Sequence, residues 1–505
     1  MRPGSRAGSE RATVRTATTL GPGHFMTSRT TALRRTPPLW LIPALWTLGL
    51  GLWGLSRQDS VWRDEAATWQ AAMRSTSGLR ALLSHVDAVH GVYYLLMHAL
   101  FDWFGATTTT LRLPSVLAMA VAAACVTAIG GRLAGPWAGL GGGMVLGLLP
   151  AVQFYFQEGR PYALVAAAAG ISTLLLVTLV QGRGGWGRWA GYAGAVLAGA
   201  LLNWFSLLIL PAHLATLAWS GAGRGVWARW AAASAAALAG ALPLILFTSG
   251  QAEQVSWIPP LTWHMLIGPA VLLAIGGLGA LADRPGAGRL SPASVGLPLL
   301  AVPQLGLVAL SLVKPLFLDR YVLFSLLGLA LLTGAGLGAA VRAAAPRFPT
   351  ASKWLVPVLL AGTVAALLPQ SLSKRSPESR VDDVLATTAD IRRLKEPGTA
   401  VVFLPSARRD AKLVTPGAFT GLRDIALARG PLESGTLNGV EAEPALIRDM
   451  MLAQPRILLV TDAPEAARPE AERREKVKAA VLRDHFTVVA DARVRGRRVA
   501  LYERK

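Results

Sequence analysis

The sequence predicts a polytopic α-helical membrane protein of about 11 transmembrane helices with a C-terminal soluble α/β domain. Three observations support this fold class. First, 52% of the 505 residues are hydrophobic and only 16% are charged, against about 25% charged in an average soluble domain, and mean hydropathy is +0.43. Second, residues 1–373 hold 25 Lys/Arg but only 10 Asp/Glu, whereas residues 374–505 hold 25 and 19. Third, the first part runs in apolar stretches of about 20 residues, the length that crosses a hydrocarbon core. The last part changes to short β-rich runs alternating with helical patterns, the signature of a small α/β domain.

Spans are expected at 39–55, 111–131, 136–156, 161–180, 189–202, 204–219, 230–249, 264–282, 291–313, 321–341 and 354–371. The run 189–219 is continuous and its division is open. Residues 91–104 (GVYYLLMHALFDWF) are apolar but short and interrupted by Asp102, which suits a re-entrant or interfacial segment. With eleven spans, the basic loops at Arg132, Arg183/Arg188, Arg224/Arg229, Arg284/Arg289 and Arg342/Arg347/Lys353 share a side with Arg29, Arg34 and Arg35. The positive-inside tendency therefore puts the N-terminus in the cytoplasm and the C-terminal domain outside, in a multi-pass protein of the cell membrane. The expected division is a basic cytoplasmic tail, disordered, over 1–38; a transmembrane domain over 39–373 with a first outer loop at 56–110; and an extracytoplasmic domain over 374–505. Met26 is a second candidate start, and the tail has no apolar core of a cleavable signal. In the C-terminal part, strands are expected at 399–405, 456–462, 486–491 and 497–503, and helices at about 380–396, 440–453 and 464–484.

A net charge of +21 and a pI near 11.1 would ordinarily suggest nucleic acid. Here most of the excess falls in loops that orient the protein in the bilayer, so no nucleic-acid partner is expected. The one cysteine, Cys125, lies in an apolar run, which excludes an intramolecular disulfide framework and a Cys-based zinc site. The runs Gly139–Gly143 and Gly334–Gly338 suit close helix contact in lipid and do not follow strands, as a dinucleotide fingerprint would require.

Eight of the ten acids in 1–373 fall on the expected outer side, all but Glu10 and Asp283. Polar groups at membrane depth are costly and usually functional. Asp64 and Glu65, in Trp62-Arg63-Asp64-Glu65, point in different directions on any regular element. They can supply a general base toward a hydroxyl or acidic groups at a helix start. His85, Asp87 and His90, followed by Tyr93 and Tyr94, could bind a metal or mark an interfacial helix end. Glu158, Arg160 and Tyr162 surround Pro161, which can start a helix. Lys314 and Arg320, the latter followed by Tyr321, put positive charge on the side where it is disfavoured, as an anionic lipid phosphate would require. The C-terminal part has no nucleophile motif, metal spacing or phosphate loop, and is expected to position the site or control substrate access.

Together these residues resemble the GT-C superfamily of membrane glycosyltransferases, and within it the glycosyltransferase family 39 or protein-mannosyltransferase-like group of actinobacterial type. The resemblance rests on WRDEAATW, on DAVHGVYYLLMHALFDWFG followed by LRLPS, on QEGRPYAL and on LDRYVLFS. It covers about 40–370, and the tail ending in LYERK fits the same group. It implies a GT-C-like fold and transfer of a sugar from a polyprenyl-phosphate donor to a hydroxyl on the outer face, with inversion. It implies Asp64 as catalytic base, with Glu65 orienting the acceptor or Asp64. Arg160, Lys314, Arg320 and Tyr321 would hold the donor phosphate and lipid. Asp87, His90, Tyr93, Glu158 and Tyr162 would line the acceptor or sugar cavity. His90 stands where many members have a His-Pro-Pro run, but Gly91 and Val92 replace both prolines.

A phosphate ester is already a good leaving group, so no cofactor is required; a divalent cation is compatible but unsupported, and no metal-binding residues are assigned. Mannose is the expected sugar, with arabinose, glucose and others open, and the acceptor can be a glycan, lipid or protein hydroxyl. The alternative is a transporter or flippase of lipid-linked sugars, which would spread polar groups through the bilayer and often show internal repeats. A sensor or assembly protein would leave the outer carboxylates unexplained.

Overall fold

The computed structural model describes residues 38–251, 258–282, 290–467, 469–470 and 472–505. The basic tail up to residue 37, Met26, and the charges Glu253, Asp283, Arg284 and Arg289 lie outside the described residues. Residues 39–505 form one compact unit.

Helix α1 (Leu41–Leu52) leads through a turn into three short helices, α2 (Arg63–Ala72), α3 (Thr76–His85) and α4 (Gly91–Phe104). There follow α5 (Thr108–Ala134), α6 (Pro136–Leu148), α7 (Pro150–Tyr155), α8 (Tyr162–Val180), α9 (Trp186–Leu202), α10 (Ile209–Ser220), α11 (Arg224–Ser249), α12 (Trp263–Ala282), α13 (Pro292–Val313), α14 (Leu326–Ala344) and α15 (Leu355–Lys374). Among the described residues, seven helices are long and apolar enough to cross a membrane: α5, α8, α11, α12, α13, and α14 and α15 with the 3₁₀ turns before them. The protein is a membrane protein.

The other four expected spans are shorter helices, for local reasons. Pro150 divides 136–156, since the preceding Leu149 is extended at φ −60°, ψ 127°, as a residue before proline prefers. Asn203, extended at φ −162°, ψ 111°, divides 189–219, and its side chain accepts from the Phe205 N–H. The 14 residues of α4 span about 21 Å at 1.5 Å per residue, short of a hydrocarbon core. Helix α6 packs between α5 and α14 because glycines let the backbones meet. A Cβ on Gly139 would stand 2.5 Å from the Thr127 carbonyl oxygen, and one on Gly334 2.4 Å from that of Ala138.

Beyond α15 lie α16 (Val384–Leu394), β1 (Ala400–Leu404), α17 (Asp410–Val414), β2 (Arg423–Asp424), β3 (Leu427–Arg429), α18 (Pro431–Ser434), β4 (Val440–Glu441), α19 (Pro444–Leu452), β5 (Arg456–Asp462), α20 (Arg473–His485), β6 (Phe486–Val494) and β7 (Arg497–Arg504). The four expected strands are present, with β6 running three residues further. Residues 440–441, read as helix, instead pair with β3. The helix expected from 464 begins at Arg473, beyond Pro464 and Pro469.

Five strands form one sheet in the order β2-β1-β5-β7-β6, with β1 parallel to β2 and β5 and the β5–β7 and β7–β6 pairs antiparallel. Alternation along the strands divides the core between the two faces. Val401, Phe403, Leu458 and Val460 pack with α17 on one face, whereas Ala400, Val402, Ile457 and Leu459 pack with Ile447 and Met451 of α19 on the other. The connections from β1 and into β5 thus cover opposite faces, leaving a crevice at the carboxyl ends of these adjacent parallel strands. The first-face core also takes in Val61 and Ala66, so the C-terminal domain is built directly onto α2.

Candidate active site around residues 57–65

The chain enters α2 through Arg57, Gln58 and Asp59, three successive non-glycine residues with φ of 48°, 56° and 58°. Left-handed backbone costs such residues roughly 1–2 kcal/mol each, so the turn needs holding. Arg57 Nη2 donates to Gln157 O at 2.8 Å and to Glu65 Oε1 at 3.0 Å, and Asp59 Oδ1 accepts from Thr108 Oγ1 at 2.9 Å.

Three successive residues of α2 then face three environments. Arg63 reaches the C-terminal domain, its Nε 3.0 Å from Asp382 Oδ2. Asp64 faces a cavity of about 950 Å³. Glu65 turns into the membrane part, where Arg112 Nε and Nη2 each donate to it at 2.7 Å and the Gly159 N–H donates at 3.0 Å. Burial alone would raise the Glu65 carboxyl, but the Arg112 and Arg57 charges outweigh it and hold it at about 2. Glu65 is fully buried and saturated with donors. Its carboxylate ties α2, the helix that carries Asp64, to α5 and to the 157–160 loop.

Asp64 Oδ2 accepts from Arg320 Nη1 at 3.1 Å. The Arg320 guanidinium stands 5.8 Å from the Tyr162 ring centroid and 5.9 Å from that of Tyr321, within range of attraction to an aromatic face. Tyr321 stacks on Phe205 at 4.9 Å, and Tyr155 donates to Asp319 Oδ1 at 3.1 Å. The cavity is lined by Trp62, Arg63, Asp64 and Arg320. Leu404 at the end of β1, Pro405 after it, and Thr461 and Asp462 at the end of β5 line it too. These are the strand ends that form the crevice.

The 157–162 loop is bound to α1, α2 and α5. Gln157 Nε2 donates to Gly51 O at 2.8 Å and Trp53 O at 2.7 Å, and Thr68 Oγ1 donates to Gly159 O at 2.9 Å. Gly159 is required here, because a Cβ would lie 2.5 Å from Leu111 Cγ. Arg160 Nη2 lies 3.0 Å from His90 Nε2. Arginine can only donate, so His90 accepts and carries its proton on Nδ1. Burial, with the Arg160 and Arg320 charges, pushes His90 well below its ordinary range. Neither oxygen of the buried Glu158 carboxylate has a protein partner, nor do Arg160 Nε and Nη1 or His90 Nδ1. Burial pushes Glu158 up to about 7, against the pull of Arg380 and with the push of Glu65 and Asp64.

The structure thus gathers Asp64, Arg320, Tyr162, Tyr321, Glu158, Arg160 and His90 at one end of the helices. Tyr93 is buried on α4 beside them. Asp87 accepts from Tyr94 Oη at 2.9 Å, and His85 Nδ1 lies 2.9 Å from Ala81 O. The three side chains of the His85/Asp87/His90 spacing therefore have separate partners. Among the described residues no group of three or more His, Cys, Asp or Glu is placed to hold a metal ion. Lys314 is exposed just past the end of α13 and, like Arg160, Tyr162 and Tyr321, is not among the residues that line the cavity. Sequence reasoning missed Arg57, Arg63, Arg112 and Asp382. Arg112 carried a signal, since an arginine inside an apolar run needs an acid to pair with.

No family model matches the sequence, and no curated protein matches it. Solved structures do. ArnT from Cupriavidus metallidurans in the apo state is similar with a TM-score of 0.59 and 12% identity, over 91% of this chain and 97% of that one. The same protein bound to undecaprenyl phosphate gives 0.53 and 13% over the same shares. The archaeal oligosaccharyltransferase AglB from Archaeoglobus fulgidus, in complex with an inhibitory peptide and a dolichol-phosphate, gives 0.50 and 11% over 84% of this chain and 69% of that one. The fold is that of the GT-C membrane enzymes, with a small C-terminal sheet domain.

Proposed function

We propose that the protein is an integral-membrane glycosyltransferase that moves a sugar from a polyprenyl-phosphate donor to a hydroxyl acceptor on the extracytoplasmic face. The N-terminus lies in the cytoplasm in this reading, mannose is the sugar, and the anomeric centre is inverted. One observation carries the proposal: Asp64 and Arg320, 3.1 Å apart, face a large cavity in a fold shared with an enzyme that binds undecaprenyl phosphate.

The chemistry follows from these groups. Asp64 takes the proton of the acceptor hydroxyl. The acceptor oxygen forms a bond to the anomeric carbon from the face opposite the phosphate, and the anomeric C–O bond breaks. The ring passes through oxocarbenium-like character, as in glycoside hydrolysis. Charge grows on the departing polyprenyl phosphate, where the Arg320 guanidinium and the unpaired nitrogens of Arg160 stabilise it more in the transition state than in the ground state. Arg320 then exchanges its ion pair with Asp64 for the phosphate, leaving Asp64 free to act as base. Glu158, His90 and Tyr162 meet the sugar. The reading needs no cofactor, because phosphate leaves readily.

The crevice at the ends of β1 and β5 gives the acceptor its way in. Open sheets bind ligands at such points, and this one opens directly onto Asp64. The C-terminal domain then holds the acceptor while the membrane part holds the donor.

Asp64→Asn in membranes supplied with polyprenyl-phosphate mannose should lower transfer by about 10²–10⁴-fold, the usual contribution of a positioned base, at unchanged expression. Near-normal transfer would sink the assignment. Arg320→Ala should weaken donor binding about tenfold or more, as loss of a hydrogen bond to a charged group does; unchanged donor affinity would remove it from the site.

A further inference from the structure

Helix α2 follows Trp62, whose side chain does not cap it, although the base of the proposed reaction sits in its first turn. The N–H groups of a first turn have no partner inside the helix, and a loose first turn would let Asp64 wander relative to Arg320. The missing acceptor comes from far along the chain. Asp382 Oδ1 accepts the backbone N–H of Arg63 at 3.0 Å, and its Oδ2 accepts Arg63 Nε at 3.0 Å. One carboxylate therefore grips both the backbone and the side chain of the residue next to Asp64.

Asp382 is itself fixed. Its side chain is fully buried, and Arg497 Nε donates to Oδ2 at 2.8 Å. Arg497 in turn holds Asp410 through two bonds of 2.9 and 2.6 Å, which anchors the group in the sheet domain. The neighbouring chain adds a backbone bond, Val384 N to Val61 O at 2.7 Å. Arg63 has a second, longer contact, 3.7 Å to Asp462 Oδ1, and Asp462 is held by Arg408 at 2.6 and 2.7 Å.

We propose that Asp382 is a positioning residue for transfer: it caps α2 from the C-terminal domain and, through Arg63, fixes Asp64 against Arg320 and the crevice. The C-terminal domain then does more than admit the acceptor, since it completes the helix that carries the base. The inference rests on the transferase reading for its kinetic consequence, but its structural half stands alone.

The test uses the full chain in lipid nanodiscs, with Asp382→Ala, Asp382→Asn, Arg63→Ala and the double alanine variant. Amide hydrogen exchange reads the first turn of α2, and polyprenyl-phosphate mannose is the donor for kinetics. Asp382→Ala should speed exchange of the 63–66 amides about tenfold or more, well beyond any change in α5 or in β7, where Arg497 keeps Asp410. It should lower kcat by about 10–100-fold, the effect of misplacing a reacting group, with donor KM within about twofold. Asparagine keeps an oxygen for the Arg63 N–H but turns an amide N–H toward Arg63 Nε and Arg497 Nε, so it should restore part of the exchange protection and part of kcat. The double variant should be little worse than Asp382→Ala alone, because coupled residues are not additive. Unchanged α2 exchange in Asp382→Ala would overturn the proposal. So would equal losses in the Ala and Asn variants, or losses that track a general rise in exchange across the sheet. Should no donor be consumed even by the unaltered protein, the transferase reading fails, and the exchange data still decide whether Asp382 caps α2.

Discussion

In the C-terminal sheet, Arg409 donates to Asp424 and Glu441 at 2.7 Å each, and Lys478 donates to Phe403 O at 2.9 Å and Glu441 Oε1 at 2.7 Å. Around residues 57–160, Arg57, Arg160, Glu158 and His90 are just as buried, yet each leaves polar atoms without a protein partner. Among the described residues after position 380, no buried side-chain polar atom is left in that state. Both clusters bury charge, and only one closes its own hydrogen bonds. Buried polar groups are almost always satisfied, so a closed cluster reads as architecture and an open one as a place prepared for another molecule.

Substitutions can break this contrast. Arg160→Ala should cost about 10²–10³-fold in kcat, as removal of one oxyanion-type donor does, with the unfolding midpoint nearly unchanged; an equal loss of fold would make the open cluster architectural too. Glu441→Ala should do the opposite. It strands Arg409 and Lys478, and breaking a buried pair from one side costs about 3–5 kcal/mol, while transfer per folded molecule is kept. Chemical denaturation in detergent alongside a transfer assay separates the two outcomes.

The pH dependence sharpens the contrast inside the open cluster. Glu65, held at about 2 against an ordinary 4.5, contributes stability that is present above about 4.5 and lost as pH falls toward about 2. Glu158, pushed up from 4.5 to about 7, contributes stability present below about 4.5 and lost as pH rises through about 7. Glu158→Gln should therefore flatten the decline in thermal midpoint between about pH 4.5 and 7 and leave the acid side alone. A decline of unchanged slope would contradict the assignment. The smallest effect belongs to Lys314→Ala. Exposed charges contribute about 0–1 kcal/mol, so donor affinity should change by less than about fivefold.

The parts legible in the sequence are those whose cause is local. Residues 400–404 and 456–462 show themselves by continuous β-branched and apolar runs, and the long spans by their length. The break at Asn203 was not legible, because a lone polar residue in an apolar run shows no turn geometry. Strands β2, β3 and β4, of two or three residues, are too short to show a period. Among the site residues, Asp64 stood out by its place in WRDE. The burial of Glu65 did not, because its partner Arg112 lies 47 positions away. The cap from Asp382 spans 319 positions, and no pattern in the acids of 374–505 marks this one from its neighbour Asp383.

The central claim is that the open cluster transfers sugar with Asp64 as base. The most direct measurement gives the purified chain in lipid polyprenyl-phosphate mannose and a hydroxyl-bearing glycan, and follows polyprenyl phosphate release and glycosylated product together. The account expects one product per phosphate released, with inverted configuration, and loss of both in Asp64→Asn while the donor still binds. Stoichiometric transfer surviving in Asp64→Asn, or donor moved intact across the bilayer without cleavage, would contradict it.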